Sequence, residues 1–430
     1  MLARIALLLV VIVDLMGQGL IFPIINSLLI DPTSTFVAKD TSGSTRNLYY
    51  GIVSAAFYLF WFFGAAYISK LSDYIGRKTG IVICLAGGIA GYVLTILAIE
   101  FSSLWLLIVG RAISGFTAGN QPIAQAALID ISRNDQERSA NLGYIVGASA
   151  LGMMIGPLLS GLLSDSAVVG SFASLKLPFY AAIVLVSVTL ILIVTSFFDV
   201  KKARKKIDFG LSEVFLTIYR VKDYPVVQKL SFAFFFFQIG LNAFFIYIED
   251  YLIERFQFTT FENSGILFLV GASIMIGGTV LVPSISKRYR KIPTIAAAAA
   301  IMSVFILLFM VNPVPVLSFV LVVPVLLAFG LGYPTFLALF SASVDDDHQG
   351  WVMGITIAWF CLGSGLISIL GGALMSVSIY LPFTLGLVSF GIALTFIFTL
   401  WRAADVQALD PAPSKESLDN AVGADDKADL

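Results

Sequence analysis

The chain has 430 residues, of which 58% are hydrophobic and only 12% are charged, and its mean hydropathy is +0.94. Soluble domains carry about 25% charged residues, so this composition excludes an ordinary soluble protein and predicts a membrane protein. The net charge of −1 says nothing about nucleic acid, and the sequence contains no basic, aromatic-interleaved patch that suggests it as a partner. Cys84 and Cys361 lie inside apolar runs and the single histidine is His348, so we expect no metal site and no cofactor.

Continuous apolar runs that are long enough to cross a bilayer recur along the chain. A membrane-spanning helix needs about 20 mostly apolar residues. These runs predict an all-α integral membrane protein with twelve transmembrane helices in two pseudo-symmetric halves of six. The predicted spans are residues 4–30, 48–69, 80–100, 103–127, 138–164, 176–199, 228–252, 260–286, 292–311, 317–342, 350–375 and 380–402.

One long polar segment divides the predicted spans into two groups of six. It covers residues 200–227 and is strongly basic near its start, which predicts a cytoplasmic linker between an N-terminal half, 1–199, and a C-terminal half, 228–402. Basic loops after the second and eighth spans, at corresponding places of the two halves, agree with this internal repeat. The proline- and aspartate-rich residues 403–430 predict a disordered acidic cytoplasmic tail.

The distribution of Lys and Arg predicts the orientation of the chain. If the N-terminus is cytoplasmic, 21 of the 26 basic residues lie on the cytoplasmic side and 4 lie outside, with Arg111 inside the membrane. Short cytoplasmic loops are enriched in Lys and Arg. We therefore expect both termini in the cytoplasm.

The first predicted span contains two polar residues on one helical face. Asp14 lies about ten residues into the span, or about 15 Å deep at 1.5 Å per residue, and Gln18 follows one turn later. A carboxylate at that depth is costly and is usually functional. This pattern predicts a polar site near the middle of the membrane.

The loop between the second and third spans combines a glycine with opposite charges. Gly76 permits a tight turn, and Asp73 lies within reach of the cations Arg77 and Lys78. We expect these side chains to form an ionic latch at the cytoplasmic end of the bundle. The alternative is an ordinary basic loop that only sets the orientation.

The fourth predicted span contains a buried cation. Arg111 lies about eight residues from the start of the span, or about 12 Å deep, where an isolated guanidinium costs at least about 2.5–3.5 kcal/mol. Proximity to Asp14 would reduce that cost, so we expect the two side chains to pair. The alternative is that Arg111 only connects neighbouring helices.

The fifth predicted span has small residues at every fourth position. Gly152, Gly156 and Ser160, which we call the fifth-span stripe, leave one helix face almost without side chains. Such faces allow close helix packing in membranes, and Pro157 loosens the helix beside them. We expect leucine at Gly156 to abolish function and alanine to be partly tolerated. The wider helix-packing motif comprises Gly143, Gly152, Gly156, Pro157 and Gly161.

The seventh predicted span supplies three polar residues to one face. Gln238, Asn242 and Glu249 are separated by four and seven positions, and Glu249 lies toward the outer end. Together with Gln18 and Gln125 they are predicted to line a substrate cavity. A largely apolar cavity with a few amides suits a small amphipathic organic compound.

These segments together resemble the major facilitator superfamily, and within it the twelve-span drug/proton antiporters, tetracycline exporters especially. The resemblance extends from the first span to the twelfth. Residues 73–78 resemble the signature loop of the superfamily, with Ser69 where the family has glycine. Residues 111–130 and 143–161 resemble the fourth- and fifth-span antiporter motifs, and residues 14–23 resemble the first span of tetracycline exporters.

The resemblance implies a secondary active transporter, a proton-coupled antiporter that exports small amphipathic compounds by alternating access. It implies an inner-membrane, multi-pass, monomeric efflux protein whose partners are its small-molecule substrate, protons and the lipid bilayer. It also implies a latch that includes Asp130, so we call Asp73, Gly76, Arg77, Lys78 and Asp130 the latch residues. Tetracycline exporters carry further acids in the third and ninth spans, which are missing here, so coupling is assigned to Asp14 with Arg111.

Other classes of protein are alternatives to a proton-coupled exporter. An importer of a nutrient or a siderophore, driven by proton symport, keeps the fold and reverses the direction. A receptor or sensor on a transporter scaffold is disfavoured because Asp14, Asp73 and Arg111 are retained. The sequence contains no Ser/His/Asp set and no Walker loop, so an enzyme or an ATP-driven pump is not expected.

Overall fold

The computed structural model describes residues 2–132, 135–199, 218–345 and 348–411, and within these residues every regular element is a helix. The helices that the argument uses are α1 (Leu2–Leu29), α2 (Gly43–Ile75), α3 (Arg77–Glu100), α4 (Leu104–Phe116), α5 (Asn120–Asp130), α6 (Asp135–Ser164), α7 (Leu177–Ser196), α8 (Pro225–Phe256), α9 (Thr260–Ile276), α10 (Val282–Ser286), α11 (Lys291–Val311), α12 (Pro315–Ala342), α13 (Gln349–Met375) and α14 (Leu381–Thr399).

Eleven helical segments of the described residues are long and apolar enough to cross a membrane. They correspond to eleven of the twelve predicted spans, so the predicted all-α membrane fold is confirmed. The largest difference in length is at α2, which begins at Gly43 and ends at Ile75, whereas the predicted span covers 48–69. Ser42 caps the start of α2 because its side chain accepts a hydrogen bond from the backbone N–H of Thr45.

The fourth predicted span, 103–127, is not one continuous helix. Helix α4 ends at Phe116 and α5 begins at Asn120, with Thr117, Ala118 and Gly119 between them. Thr117 and Gly119 have φ near −93° and −105° with ψ near 4° and 10°, outside the α-helical region. The prediction of an unbroken helix is wrong here, where Gly119 and Pro122 flank the start of α5. Such a break is tolerated within a membrane where it lines a cavity.

A second irregularity follows α9. The chain continues into a π-helical turn, Gly277–Leu281, before α10. A Cβ atom on Gly277 would lie 2.6 Å from the carbonyl oxygen of Leu327 in α12. The side-chain-free surface of Gly277 therefore lets these two backbones approach.

The described residues form two compact units. The first consists of Met1–Phe215, Asn242–Gly271 and Cys361–Pro382, and the second of Leu216–Leu241, Ala272–Phe360 and Phe383–Leu430. The first unit therefore combines the N-terminal helices with terminal parts of α8, α9 and α13. The division into halves at 200–227 stays a prediction, and residues 200–217 lie outside the described part of the chain.

Within the first unit, α1 packs against α6 along the fifth-span stripe. Cβ atoms on Gly152 and Gly156 would lie 2.5 Å and 2.3 Å from the carbonyl oxygens of Ile12 and Met16. The hydroxyl of Ser160 donates a hydrogen bond to the carbonyl oxygen of Leu20. The stripe thus faces α1, while Gly161 faces Ser264 of α9 and Gly143 lies where the surroundings are not described.

The start of the predicted tail is ordered in the second unit. Lys229 donates to both carboxylate oxygens of Asp405, at 2.9 and 2.7 Å, and this hydrogen bonding lowers the pKa of the Asp405 carboxyl below its usual value. Asp410 accepts hydrogen bonds from the backbone N–H groups of Lys291 and Ile292 at 2.7 and 3.0 Å, which caps α11. The prediction that the chain is disordered from residue 403 is therefore wrong for residues 403–411. Residues 412–430 lie outside the described part of the chain.

Candidate functional site: a polar cavity at the break in the fourth span

A small cavity lies between α1, α3 and the α4–α5 break, entirely within the first unit. Its volume is about 40 Å³, which is room for about three or four water molecules, since each needs roughly 10–15 Å³. An organic substrate does not fit in this volume. The polar side chains among the lining residues are Asp14, Gln18, Tyr92, Arg111, Ser114, Thr117 and Asn120.

Asp14 is held by the first residue of α5. The side-chain amide of Asn120 donates a hydrogen bond to Asp14 Oδ1 at 3.1 Å, and the backbone N–H of Gln121 lies close to the same carboxyl group. The N-terminus of a helix carries a partial positive charge, which stabilises a nearby carboxylate. The interruption of the fourth span creates this N-terminus within the membrane, so the break positions the partners of Asp14.

Arg111 is buried, with 4% of its surface exposed, and it stacks on an aromatic ring instead of pairing with Asp14. Its guanidinium carbon lies 4.2 Å from the centroid of the Phe57 ring, a cation–π contact worth about 2 kcal/mol or more when it is desolvated. Among the described contacts Arg111 makes no ion pair with Asp14, and its Nε has no hydrogen-bond partner. The expected direct pair is therefore wrong, although both residues line one cavity.

The predicted substrate-cavity residues are distributed over α1, α5 and α8. Gln18 lines the cavity of Asp14, whereas Gln125 is partly buried on α5 and is not among the lining residues. Asn242 and Glu249 belong to the first unit and are both 1% exposed, and Gln238 is buried in the second unit. Glu249 contacts Asn26, three turns of α1 beyond Asp14.

Two of the latch residues, Arg77 and Asp130, lie close together in the first unit. Arg77 Nε lies 3.8 Å from Asp130 Oδ2, and Arg77 Nη1 donates to Ser72 Oγ at 2.9 Å. Gly76 has φ = +103°, a conformation that other residues rarely adopt. Asp73 belongs to α2, but its side chain lies outside the described part of the structure.

The structure shows three polar residues at these sites for which the sequence predicted no role. Asn120 holds Asp14, and Asp199 accepts a hydrogen bond from the backbone N–H of Lys78 at 2.9 Å, which anchors the turn between α2 and α3. Asp250 is buried beside Glu249. Asn120 follows Gly119 directly, so its position after a Thr-Ala-Gly interruption was the available signal for a new helix start.

The sequence is similar to a family of known transporters. A sequence model of the Major Facilitator Superfamily matches residues 7–368. Curated relatives include the tetracycline resistance protein, class H, of Pasteurella multocida, which is 26% identical over 82% of this chain and 84% of the relative. The class C protein of Escherichia coli is 28% identical, covering 84% and 87%, and the quinolone resistance protein NorA of Staphylococcus aureus is 25% identical, covering 85% and 88%.

Solved structures share the fold at lower sequence identity. The human organic anion transporter MFSD10 (TETRAN) aligns with a TM-score of 0.69 at 17% identity, covering 92% of this chain and 99% of that structure. A D-xylose–proton symporter aligns with a TM-score of 0.71 at 13% identity, covering 93% and 96%.

The chain therefore belongs to the major facilitator superfamily. It is a multi-pass membrane protein of a transporter family and not an enzyme. The predicted family and fold class are confirmed, and the likeness to the solved structures extends to the fold alone.

Proposed function

We propose that the chain is a proton-coupled antiporter that exports small amphipathic organic compounds across the inner membrane by alternating access. The observation that carries the proposal is the position of Asp14. This residue of α1 accepts a hydrogen bond from Asn120, the first residue of α5, in a water-sized cavity that Arg111 also lines. The similarity to tetracycline and quinolone resistance proteins supports export over import.

The cavity has the properties that proton exchange requires. It is too small for an organic substrate but holds water, through which a proton reaches the carboxyl group of Asp14. The guanidinium of Arg111 is buried in the same cavity as Asp14. When Asp14 accepts a proton, the cavity keeps an unbalanced positive charge, so the two protonation states favour different arrangements of the helices around it.

The proposed orientation places the start of α1 and the latch residues at the cytoplasmic face. It is supported by the excess of Lys and Arg in the segments at that end of the helices. The ends of α1 and α8 then form part of the outer face. We also propose that the transporter functions as a monomer.

Transport by the purified, reconstituted protein tests the proposal. In proteoliposomes with an imposed pH gradient, a panel of amphipathic compounds should include members that move against the proton flux and accumulate beyond equilibrium. Accumulation in the direction of the proton flux would instead identify a symporter. Transport that ignores the gradient in every case would overturn proton coupling.

The latch residues provide a second prediction. Arg77→Ala and Asp130→Asn should each slow transport without reducing the amount of protein, because each removes one partner of the Arg77–Asp130 contact. If the two act as a pair, the double variant should be no slower than either single variant. Initial transport rates of the three variants, with exposed Lys39→Ala as a control, measure this coupling.

The same variants should also shift the conformational equilibrium toward the inward-facing state. Ser27 Oγ lies 2.9 Å from Thr260 Oγ1 near the outer end of α1, so a cysteine at Ser27 is protected while these ends are packed together. Alkylation of Ser27→Cys should therefore become slower when Arg77→Ala is added. Additive losses of rate and unchanged alkylation would exclude the latch.

A further inference from the structure

Two consecutive acids on α8 are buried without a cation. Glu249 and Asp250 are each 1% exposed, and Asn26 of α1 is also 1% exposed. The Nδ2 atom of Asn26 donates to Asp250 Oδ1 and lies 3.5 Å from Glu249 Oε2. Among the described residues, no Lys or Arg forms an ion pair with either carboxyl group. The side-chain amide of Asn26 thus contacts both carboxyl groups. We call Glu249 and Asp250 the acid pair.

Three oxygen atoms of this cluster have no hydrogen-bond partner. They are Glu249 Oε1, Asp250 Oδ2 and Oδ1 of Asn26. Two ionised carboxylates supply only acceptors, so the oxygen of Asn26 would remain without a donor. A protonated carboxyl group has an O–H donor, and the unpartnered oxygen of Asn26 is a buried acceptor in the same cluster. Protonation would therefore supply a donor that the ionised pair lacks.

The acid pair lies where terminal parts of four helices pack together in the first unit. The hydroxyl of Tyr50 in α2 donates to the carbonyl oxygen of Ile246 at 2.6 Å, and the hydroxyl of Tyr247 donates to the carbonyl oxygen of Ser368 in α13. A Cβ atom on Gly51 would lie 2.3 Å from the carbonyl oxygen of Ser368. Helices α2 and α13 therefore meet almost backbone to backbone, side-chain hydrogen bonds connect α8 to both, and Asn26 connects α1 to α8.

The other titratable groups near the acid pair do not neutralise it. Tyr50 from α2 and Tyr247 and Glu254 from α8 interact electrostatically with Asp250. The guanidinium of Arg46, in the first turn of α2, donates to the backbone carbonyl oxygens of Leu29 and Asp31. Nearby, Ser368 of α13 accepts from Tyr247 and Thr260 of α9 contacts Ser27, and neither Ser368 nor Thr260 carries a charge.

We propose that Glu249 and Asp250, together with Asn26, form a second proton-binding site that keeps the outer ends of α1, α2, α8 and α13 packed together when it is protonated and separates them when it ionises. The proposal rests on the proposed proton-driven alternating access and adds a site distinct from Asp14. Protons from the outer face load the acid pair and close that face. Ionisation places adjacent negative charges in a dry contact, and water entry between the helices then relieves their repulsion.

Distance measurements on the full-length protein test this proposal without any transport assay. Spin labels at Lys39→Cys and Val377→Cys, both exposed and on loops at the outer end, report the separation of these loops. The native Cys84 and Cys361 are buried. In lipid nanodiscs, we expect a short separation near pH 5 and a longer one near pH 9, since buried carboxyls titrate within roughly this range. A separation that ignores pH would overturn the proposal.

Variants assign the pH response to the acid pair. Glu249→Gln combined with Asp250→Asn should keep the outer end closed at every pH, because the amides remain neutral. Asp14→Asn should retain the pH-dependent opening. Loss of proton coupling at Asp14 would therefore contradict neither this opening nor its assignment to the acid pair, and the two proposals can fail separately. Asp165→Asn removes an acid at the same end and should also retain it. Opening that persists in the double variant, or closure by Na⁺ at constant pH, would contradict a proton site.

Discussion

Replacing Asp14 by asparagine should abolish proton-driven accumulation of substrate while binding remains largely intact. Asparagine has nearly the same shape as aspartate, and its side-chain oxygen still accepts the hydrogen bond from Asn120. The fold around α1 and α5 is therefore retained. The substituted side chain, however, cannot exchange a proton, so the two conformational states no longer differ in proton affinity at this position.

Everted vesicles with an imposed pH gradient measure the loss. One proton moved across a difference of one pH unit supplies about 1.4 kcal/mol, which corresponds to about a tenfold concentration of a neutral substrate. The wild-type protein should approach this accumulation, whereas Asp14→Asn should only equilibrate the compound. Asp40→Asn, which removes an exposed carboxylate in the segment between α1 and α2, should behave as wild type. If Asp14→Asn still concentrates substrate in response to the gradient, proton coupling does not depend on Asp14.

Replacing Arg111 by lysine should impair transport. The reason is the contact of Arg111 with Phe57 and not a direct ion pair with Asp14. The planar guanidinium stacks on Phe57, and an ammonium group lacks this flat face. Arg111→Lys is expected to reduce the transport rate, and Phe57→Leu should produce a related reduction because it removes the other partner. Leucine keeps the site apolar, so a normal rate in Phe57→Leu would show that the cation–π contact is dispensable.

The sequence was sufficient for features that repeat along the chain. Apolar runs of span length identified the membrane helices, and the spacing of Gly152, Gly156 and Ser160 identified a close helix contact. Both signals are local and accumulate over many residues. The sequence also identified Asp14 and Arg111, because burying an ionisable side chain in a membrane is costly and such residues are therefore rare inside apolar runs.

The partners of these residues depended on tertiary structure. Asn120 reaches Asp14 because the fourth span is interrupted, and span length alone did not predict this interruption. Asp250 was missed because it does not share the helical face of Gln238, Asn242 and Glu249, yet Asn26 contacts both acids from a different helix. Asp410 was assigned to a disordered tail from composition, which does not indicate that it caps α11.

Substitution of Gly156 should severely damage the packing of α6 on α1, and alanine should suffice. A Cβ atom at this position would lie 2.3 Å from the carbonyl oxygen of Met16 and 2.8 Å from the backbone nitrogen of Leu20. Both atoms belong to the backbone of α1 and cannot rotate away. The sequence-based expectation that alanine is partly tolerated is therefore replaced by a severe loss. Overpacking commonly costs about 1–3 kcal/mol, and Gly156→Leu should exceed this range because the whole of α1 has to move.

Gly147 provides a matched control on the same helix. A Cβ atom there would meet no other atom within 4 Å, so Gly147→Ala introduces the same group without a clash. Alanine is about 1 kcal/mol better than glycine in a helix, and this variant should be neutral or slightly more stable. Thermal unfolding in detergent and transport in vesicles should separate the two alanine variants. Because α1 also carries Asp14, displacement of this helix by Gly156→Ala should reduce proton coupling as well as stability, and normal transport by Gly156→Ala would contradict the close contact of α1 with α6.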